Sequence, residues 1–137
     1  MTLTIKQITA EETWPLRHKV MWPNLPFNFI QLPEDARGTH FGLFVEKELI
    51  SIVSIFQTAT GMAQFRKFAT TTKEQGKGFG TKLLIHVMQY AKNEGYHTLW
   101  CNARVDKTAF YKKFGMTETE ETYTKQNIKF VILKKVL

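Results

Sequence analysis

Hydrophobic and polar positions change their period several times along the chain, and each change marks an element. Leu3, Ile5 and Ile8 fall in an alternating stretch that predicts a first strand over Thr2–Ile8. Thr9-Ala10-Glu11-Glu12 has capping-box spacing and starts a helix running to about Val20, with Trp14, Leu16, Val20 and Met21 as its core face. Pro15 predicts an irregular first turn there, or a start nearer Thr13. From Met21 to Gly38 the prolines Pro23, Pro26 and Pro33 prevent a long regular element, while Trp22, Phe27, Phe29 and Ile30 need a surface to pack on. This segment reads either as a lid facing a substrate or as a packed surface loop.

His40–Val45 and Leu49–Phe56 read as strands joined by Glu46-Lys47-Glu48, and Met62–Thr70 as the third strand of that meander. The period then shifts from two to 3.6. Phe79, Leu83, Leu84, Val87, Met88 and Ala91 share one face of a helix from about Gly78 to Asn93, which Gly95 closes. His97–Asn102 is the next strand, Asp106–Phe114 a short helix, and Met116–Tyr123 and Ile128–Val136 are the last strands. The order β-α-β-β-β-α-β-α-β-β, with one crossover in its middle, predicts a single α+β or mixed α/β domain over residues 1–137.

Composition narrows the function. With 43% apolar residues the chain folds as a globule, and no apolar run is long enough for a membrane span. Met1–Lys6 contains no signal-peptide core, so a cytoplasmic location is expected. The single cysteine, Cys101, excludes an internal disulfide; it lies in the apolar string Thr98-Leu99-Trp100-Cys101 and reads as a core thiol, with no metal site implied. The net charge of +7 points to an acidic partner: nucleic acid, an anionic surface or a polyphosphorylated cofactor. Arg66, Lys67, Lys73, Lys77 and Lys82 bracket one stretch, and that stretch carries the candidate chemistry.

The stretch is Gln75-Gly76-Lys77-Gly78-Phe79-Gly80, between a strand and a helix. Glycines at such a junction leave backbone N–H groups open at the positive end of the helix, where a pyrophosphate can be held, and Lys77 adds a cation. Neither the P-loop string nor the dinucleotide fingerprint is present, and glycines at a helix start are also ordinary turn chemistry. Support comes from a second string some thirty residues on, Phe110-Tyr111-Lys112-Lys113-Phe114-Gly115-Met116.

Together the two strings resemble the GNAT superfamily of acetyl-CoA-dependent N-acetyltransferases. The first is similar to its Gln/Arg-x-x-Gly-x-Gly/Ala motif, the second to its aromatic-Tyr motif. The resemblance implies a mostly antiparallel twisted sheet of six to seven strands flanked by helices. It also implies acetyl-CoA as cosubstrate, and a primary amine, small molecule or peptide, as acceptor. Backbone N–H groups from Gln75, Gly76, Lys77, Gly78, Phe79 and Gly80, with Thr81, would hold the pyrophosphate. The backbone of Phe68 and Thr70 would pair with the acetyl carbonyl and the pantetheine arm, the Phe68 amide stabilising the oxyanion. Tyr111 would protonate the departing thiolate. A homodimer through the final strands is a family-level expectation.

The chain departs from the family's pattern in places. Gln64 stands where some members have a catalytic glutamate, and Arg104 and Lys107 stand where many have Asn and Ala. The proton acceptor is therefore open among a water chain, His40, Glu34 and Asp35, the last three reading first as solvated side chains. His18, His86 and His97 read as structural. Two other classes compete with the enzyme: a CoA-binding module without catalysis, and a basic nucleic-acid-binding domain using Phe65, Arg66, Lys67 and Phe68 on an exposed sheet face. No RNA-binding signature supports the latter, and nucleic acid ranks last.

Overall fold

A computed structural model describes residues 2–137; Met1, the first residue of the expected single domain, lies outside them. The elements follow the expected order. They are β1 (Leu3–Ile8), α1 (Ala10–Leu16), β2 (Thr39–Val45), β3 (Glu48–Ala59), β4 (Met62–Thr70), α2 (Phe79–Asn93), β5 (Thr98–Arg104), α3 (Thr108–Lys112), β6 (Thr117–Lys125) and β7 (Ile128–Val136). The strands form one seven-stranded sheet in the order β1-β2-β3-β4-β5-β7-β6. Every neighbouring pair is antiparallel except β4 and β5, which the α2 crossover makes parallel.

The local chemistry explains most boundaries. Thr9 caps α1 by accepting the Glu12 amide (3.2 Å), and the Glu12 carboxylate accepts the Thr9 amide (2.9 Å). Pro15 removes one donor from the helical ladder, and α1 gives way at Arg17 to a π-helical turn over Arg17–Met21. The regular helix is thus shorter than its pattern predicts, and Arg17 turns inward. Residues 22–38 hold two 3-10 turns, Phe27–Ile30 and Pro33–Arg37. The helix expected over Asp106–Phe114 is a 3-10 turn, Val105–Lys107, followed by the short α3.

The sheet is covered on both faces. Ile52 and Val53 are successive residues of β3 and so point to opposite sides. Val53 belongs to the main core, where Phe79, Leu83, Leu84, Val87 and Ala91 of α2 meet the sheet. Ile52 belongs to a smaller cluster with Ile8, Leu16 and Ala69 under α1.

One break in this sheet positions the site. β4 and β5 are paired only at Met62↔Thr98, Ala63↔Leu99 and Gln64↔Trp100. Beyond Gln64, β4 continues beside β3 as far as Thr70, and β5 continues beside β7 as far as Arg104. The two strands separate from each other while each keeps its outer neighbour. The sheet opens into a wedge, with an unpaired edge of backbone on each side.

Candidate active site

The wedge holds a cavity of about 750 Å³, a size suited to a small molecule or cofactor. Its β4 wall carries a bulge. Ile52 faces Ala69 and Ser54 faces Arg66, so Val53 alone opposes the two residues Lys67 and Phe68. Lys67 takes the left-handed conformation, φ 57°, that the extra residue requires. The consequence is a change of face. Residues three apart on a regular strand point to opposite sides, yet Phe65 and Phe68 both meet on the α2 side, with ring centroids 6.5 Å apart. Arg66 and Ala69 remain paired on the α1 side with Ser54 and Ile52.

The glycine loop forms one end of the cavity. Gly76 and Gly78 have φ of 80° and 86°, and a side chain added at either would meet open space. Their glycine character therefore serves the turn and leaves its surface bare. Gly78 is the N-cap of α2, and no side chain caps that terminus. The amides of Phe79, Gly80 and Thr81 stand at the positive end of a fifteen-residue helix, beside the cavity. Gly80 has a different reason: a Cβ there would sit 3.1 Å from Phe68 Cζ and 3.4 Å from Thr70 Oγ1. Gln75 ties the loop to the strand by donating from Nε2 to the Thr70 carbonyl (3.0 Å). Thr70 is fixed a second time through its hydroxyl, 2.9 Å from Ser51 Oγ. Lys77 Nζ lies 3.0 Å from Glu74 Oε2, and Lys77 is not in the cavity wall.

Tyr111 lines the cavity opposite β4, beside the rings of Phe110 (5.2 Å), Phe65 (6.0 Å) and Phe68 (6.4 Å). Burial pushes its phenol well above the ordinary range, so the hydroxyl stays protonated and can donate. Among the described residues no group bonds that hydroxyl. Cys101 forms part of the same floor, and burial pushes its thiol up to about 12. It is a core thiol at neutral pH, with little thiolate to act as a nucleophile.

The candidate proton acceptors are a correction to the sequence-based reading. His40 and Asp35 are buried (4% and 6% exposed), and both are committed to one network. Arg17, itself fully buried, donates to both Asp35 oxygens (2.8 and 2.9 Å), the Ile30 carbonyl and Ser54 Oγ. His40 Nε2 donates to the Asp35 carbonyl (2.9 Å), which leaves Nδ1 to accept the Ser54 hydroxyl (2.7 Å). Burial works to raise the Asp35 carboxyl, but hydrogen bonds from Arg17, Trp14 and the Leu32 amide outweigh it and hold it below its ordinary value. The Glu34 carboxyl is also held low, chiefly by Arg66, its partner across the sheet surface. None of the three is a free base facing the wedge.

The same network settles part of the 21–38 segment, which Ile30 and Asp35 anchor to the body while Met21 reaches the cavity. On the opposite face, Phe65 is 2% exposed and packs in the core under α2, so it offers no exposed stacking surface to a nucleic acid. Of the lysines expected around a phosphate, Lys73 faces Glu48 and Lys77 faces Glu74. The cations that line the cavity are Arg66, Lys67, Arg104 and Lys107, and only Arg66 has a carboxylate partner among the described residues. Arg104 and Lys107 stand out in the sequence only as departures from a pattern. The sequence marks Lys67 only as one cation among those bracketing the glycine loop, since its place in the wedge depends on a bulge formed without glycine.

Comparison with known proteins gives one family. Residues 24–137 match the model of the acetyltransferase (GNAT) domain. The chain is 30% identical over 129 residues to the uncharacterized N-acetyltransferase YitI of Bacillus subtilis (strain 168), covering 88% of this chain and 87% of that one. Among solved structures it superimposes on a GNAT family acetyltransferase from Elizabethkingia anophelis with acetyl-CoA bound (TM-score 0.81, 19% identity, 98% of both chains). It also matches a Bacillus subtilis acetyltransferase in complex with CoA (TM-score 0.78, 19% identity, 99% of both chains).

Proposed function

Because the chain belongs to the GNAT family and is an acetyl-CoA-dependent N-acetyltransferase, we propose that it moves the acetyl group directly to a primary amine in the wedge between β4 and β5. The observation that carries this is the separation of the strands beyond Gln64↔Trp100, with an uncapped glycine turn at one end of the opening and Tyr111 on its wall. The pyrophosphate lies against the amides from Gln75 to Thr81, which are aimed by the positive-φ glycines. The pantetheine arm runs along the free edge of β4 and pairs with the backbone of Phe68 and Thr70 as an added strand would.

In the transfer a neutral amine attacks the thioester carbonyl, and the carbonyl oxygen takes the developing charge beside the Phe68 amide. The intermediate collapses with the C–S bond breaking, and the sulfur takes the Tyr111 proton. A phenol raised by burial is a weak acid, but a thiolate born in the same cavity is also raised. Cys101, on the same floor, is pushed in the same direction by burial. Burial shifts acid and leaving group in the same direction. The amine's own proton leaves by water, since Glu34, Asp35 and His40 are engaged elsewhere.

The test is calorimetric titration with acetyl-CoA at low and moderate salt, followed by thiol release with an amine panel. A stoichiometric micromolar-range site is expected. Gly78→Glu, which places a carboxylate among the phosphates at a φ of 86°, should weaken binding by at least about 10²-fold. Unchanged affinity would overturn the cradle. Binding without turnover on any amine would leave only a CoA-binding module.

A further inference from the structure

We propose that the acceptor is a small amine that also carries a carboxylate, as an amino acid or its derivative does, and that Lys67 is the cation that receives the carboxylate. The proposal rests on the transferase reading above and adds the substrate class. The bulge sets Lys67 and Phe68 together against Val53 alone on β3, and Lys67 lines the wedge. Its charged neighbours are mostly cations: Arg66, Lys125 and Arg17, with Asp35 as the nearby anion. Arg17 and Arg66 are each consumed by a carboxylate, Asp35 and Glu34. No carboxylate of the described residues pairs with Lys67. Burial beside these cations lowers its ammonium to about 8, so it is a cation held at a cost that a bound anion would remove.

This surplus of positive charge disfavours a plain alkylammonium. An amine with a carboxylate brings its own counter-ion, and the carboxylate docked on Lys67 fixes the amine beside Phe68, the next residue along β4. The occupant is small because the wedge is bridged on this side. Lys125, at the end of β6, stands 5.4 Å over the Phe29 ring of the 22–38 segment, and Tyr123 stacks at 5.2 Å on Phe130, which lines the cavity.

The experiment measures thiol release from acetyl-CoA with a panel of amino acids, each beside its carboxamide and its decarboxylated amine. Acids should be preferred over their neutral counterparts by about tenfold or more in kcat/KM, mostly through KM. Lys67→Met should erase the preference by raising KM for the acids alone, while Lys67→Arg, which keeps the charge at the same φ, should retain it. Acetyl-CoA affinity, measured by calorimetry, should be unchanged in both variants. Equal use of acids and amides, no turnover of any acid, or a Lys67→Met enzyme that keeps the preference would each overturn the inference with acetyl-CoA binding intact. Loss of acetyl-CoA binding in the unmodified protein would instead overturn the reading beneath it.

Discussion

Two groups of cations lie near β4, and they differ in what answers them. On the α1 side, Arg17 has two carboxylate oxygens, a carbonyl and a hydroxyl, and is fully buried. In the wedge, Lys67, Arg104 and Lys107 have no carboxylate among the described residues, although they line a cavity. A buried guanidinium answered within the chain holds structure, because removing either partner strands the other. A cation left facing a cavity holds nothing in place and is available to a ligand. The same composition, read only as a net charge of +7, cannot make this distinction.

The comparison breaks most visibly at Arg17. Arg17→Met keeps the apolar bulk but leaves Asp35 charged in the interior, and should cost about 3–5 kcal/mol. That is a Tm drop on the order of 10 °C or more by calorimetry, out of a total stability of about 5–15 kcal/mol. The pH dependence has a definite sign. The Asp35 carboxyl is held below its ordinary value in the folded chain, so its contribution is present above the ordinary carboxylate range and lost as pH falls through it. Acid should therefore narrow the gap between the unmodified protein and Arg17→Met. A gap that stays constant from pH 7 to pH 3 would deny Asp35 this role.

The cleft side should show the opposite pattern. Tyr111→Phe removes one hydroxyl that no group among the described residues bonds, so Tm should hardly change while turnover falls by about 10²-fold. Acetyl-CoA affinity should stay within about twofold of its original value. Retained turnover would remove Tyr111 from the reaction, and a large loss of Tm would return it to the core.

What could be read from the chain alone follows the range of the interactions. The capping box at Thr9 and the apolar face of α2 are set by residues within a few positions, and both stand as their spacing predicts. The glycine turn was legible because only glycine takes those φ values without cost. Arg17 was not, since its partners Asp35 and Ser54 lie 18 and 37 positions away and no local pattern joins them. His40 and Asp35 read as solvated groups in the sequence for the same reason. The bulge was hidden too: Lys67 adopts a left-handed φ that its residue type does not announce, so the change of face between Phe65 and Phe68 is invisible to periodicity. Arg104 and Lys107 could be flagged, but a flag without a cavity has no meaning.

The smallest predicted effect is the sharpest probe, because it moves one residue from the first group to the second. Arg66 lines the wedge but is paired with Glu34, and both side chains are partly exposed, 26% and 32%. Such a pair contributes below about 1 kcal/mol, so Glu34→Gln should shift Tm by only a few degrees at most. It also releases a guanidinium beside Lys67. If unanswered cations in the wedge are what receive the acceptor's carboxylate, KM for an amino acid acceptor should fall by about two- to fivefold, with its carboxamide unaffected. The gain should shrink as salt is raised, because the added charge is only partly buried. A fall in KM shared equally by the acid and the amide would mean that Glu34 merely obstructs the entrance. No change in either would confine anion recognition to Lys67 itself, and Arg66 would then belong with Arg17, as a cation whose work is finished inside the chain.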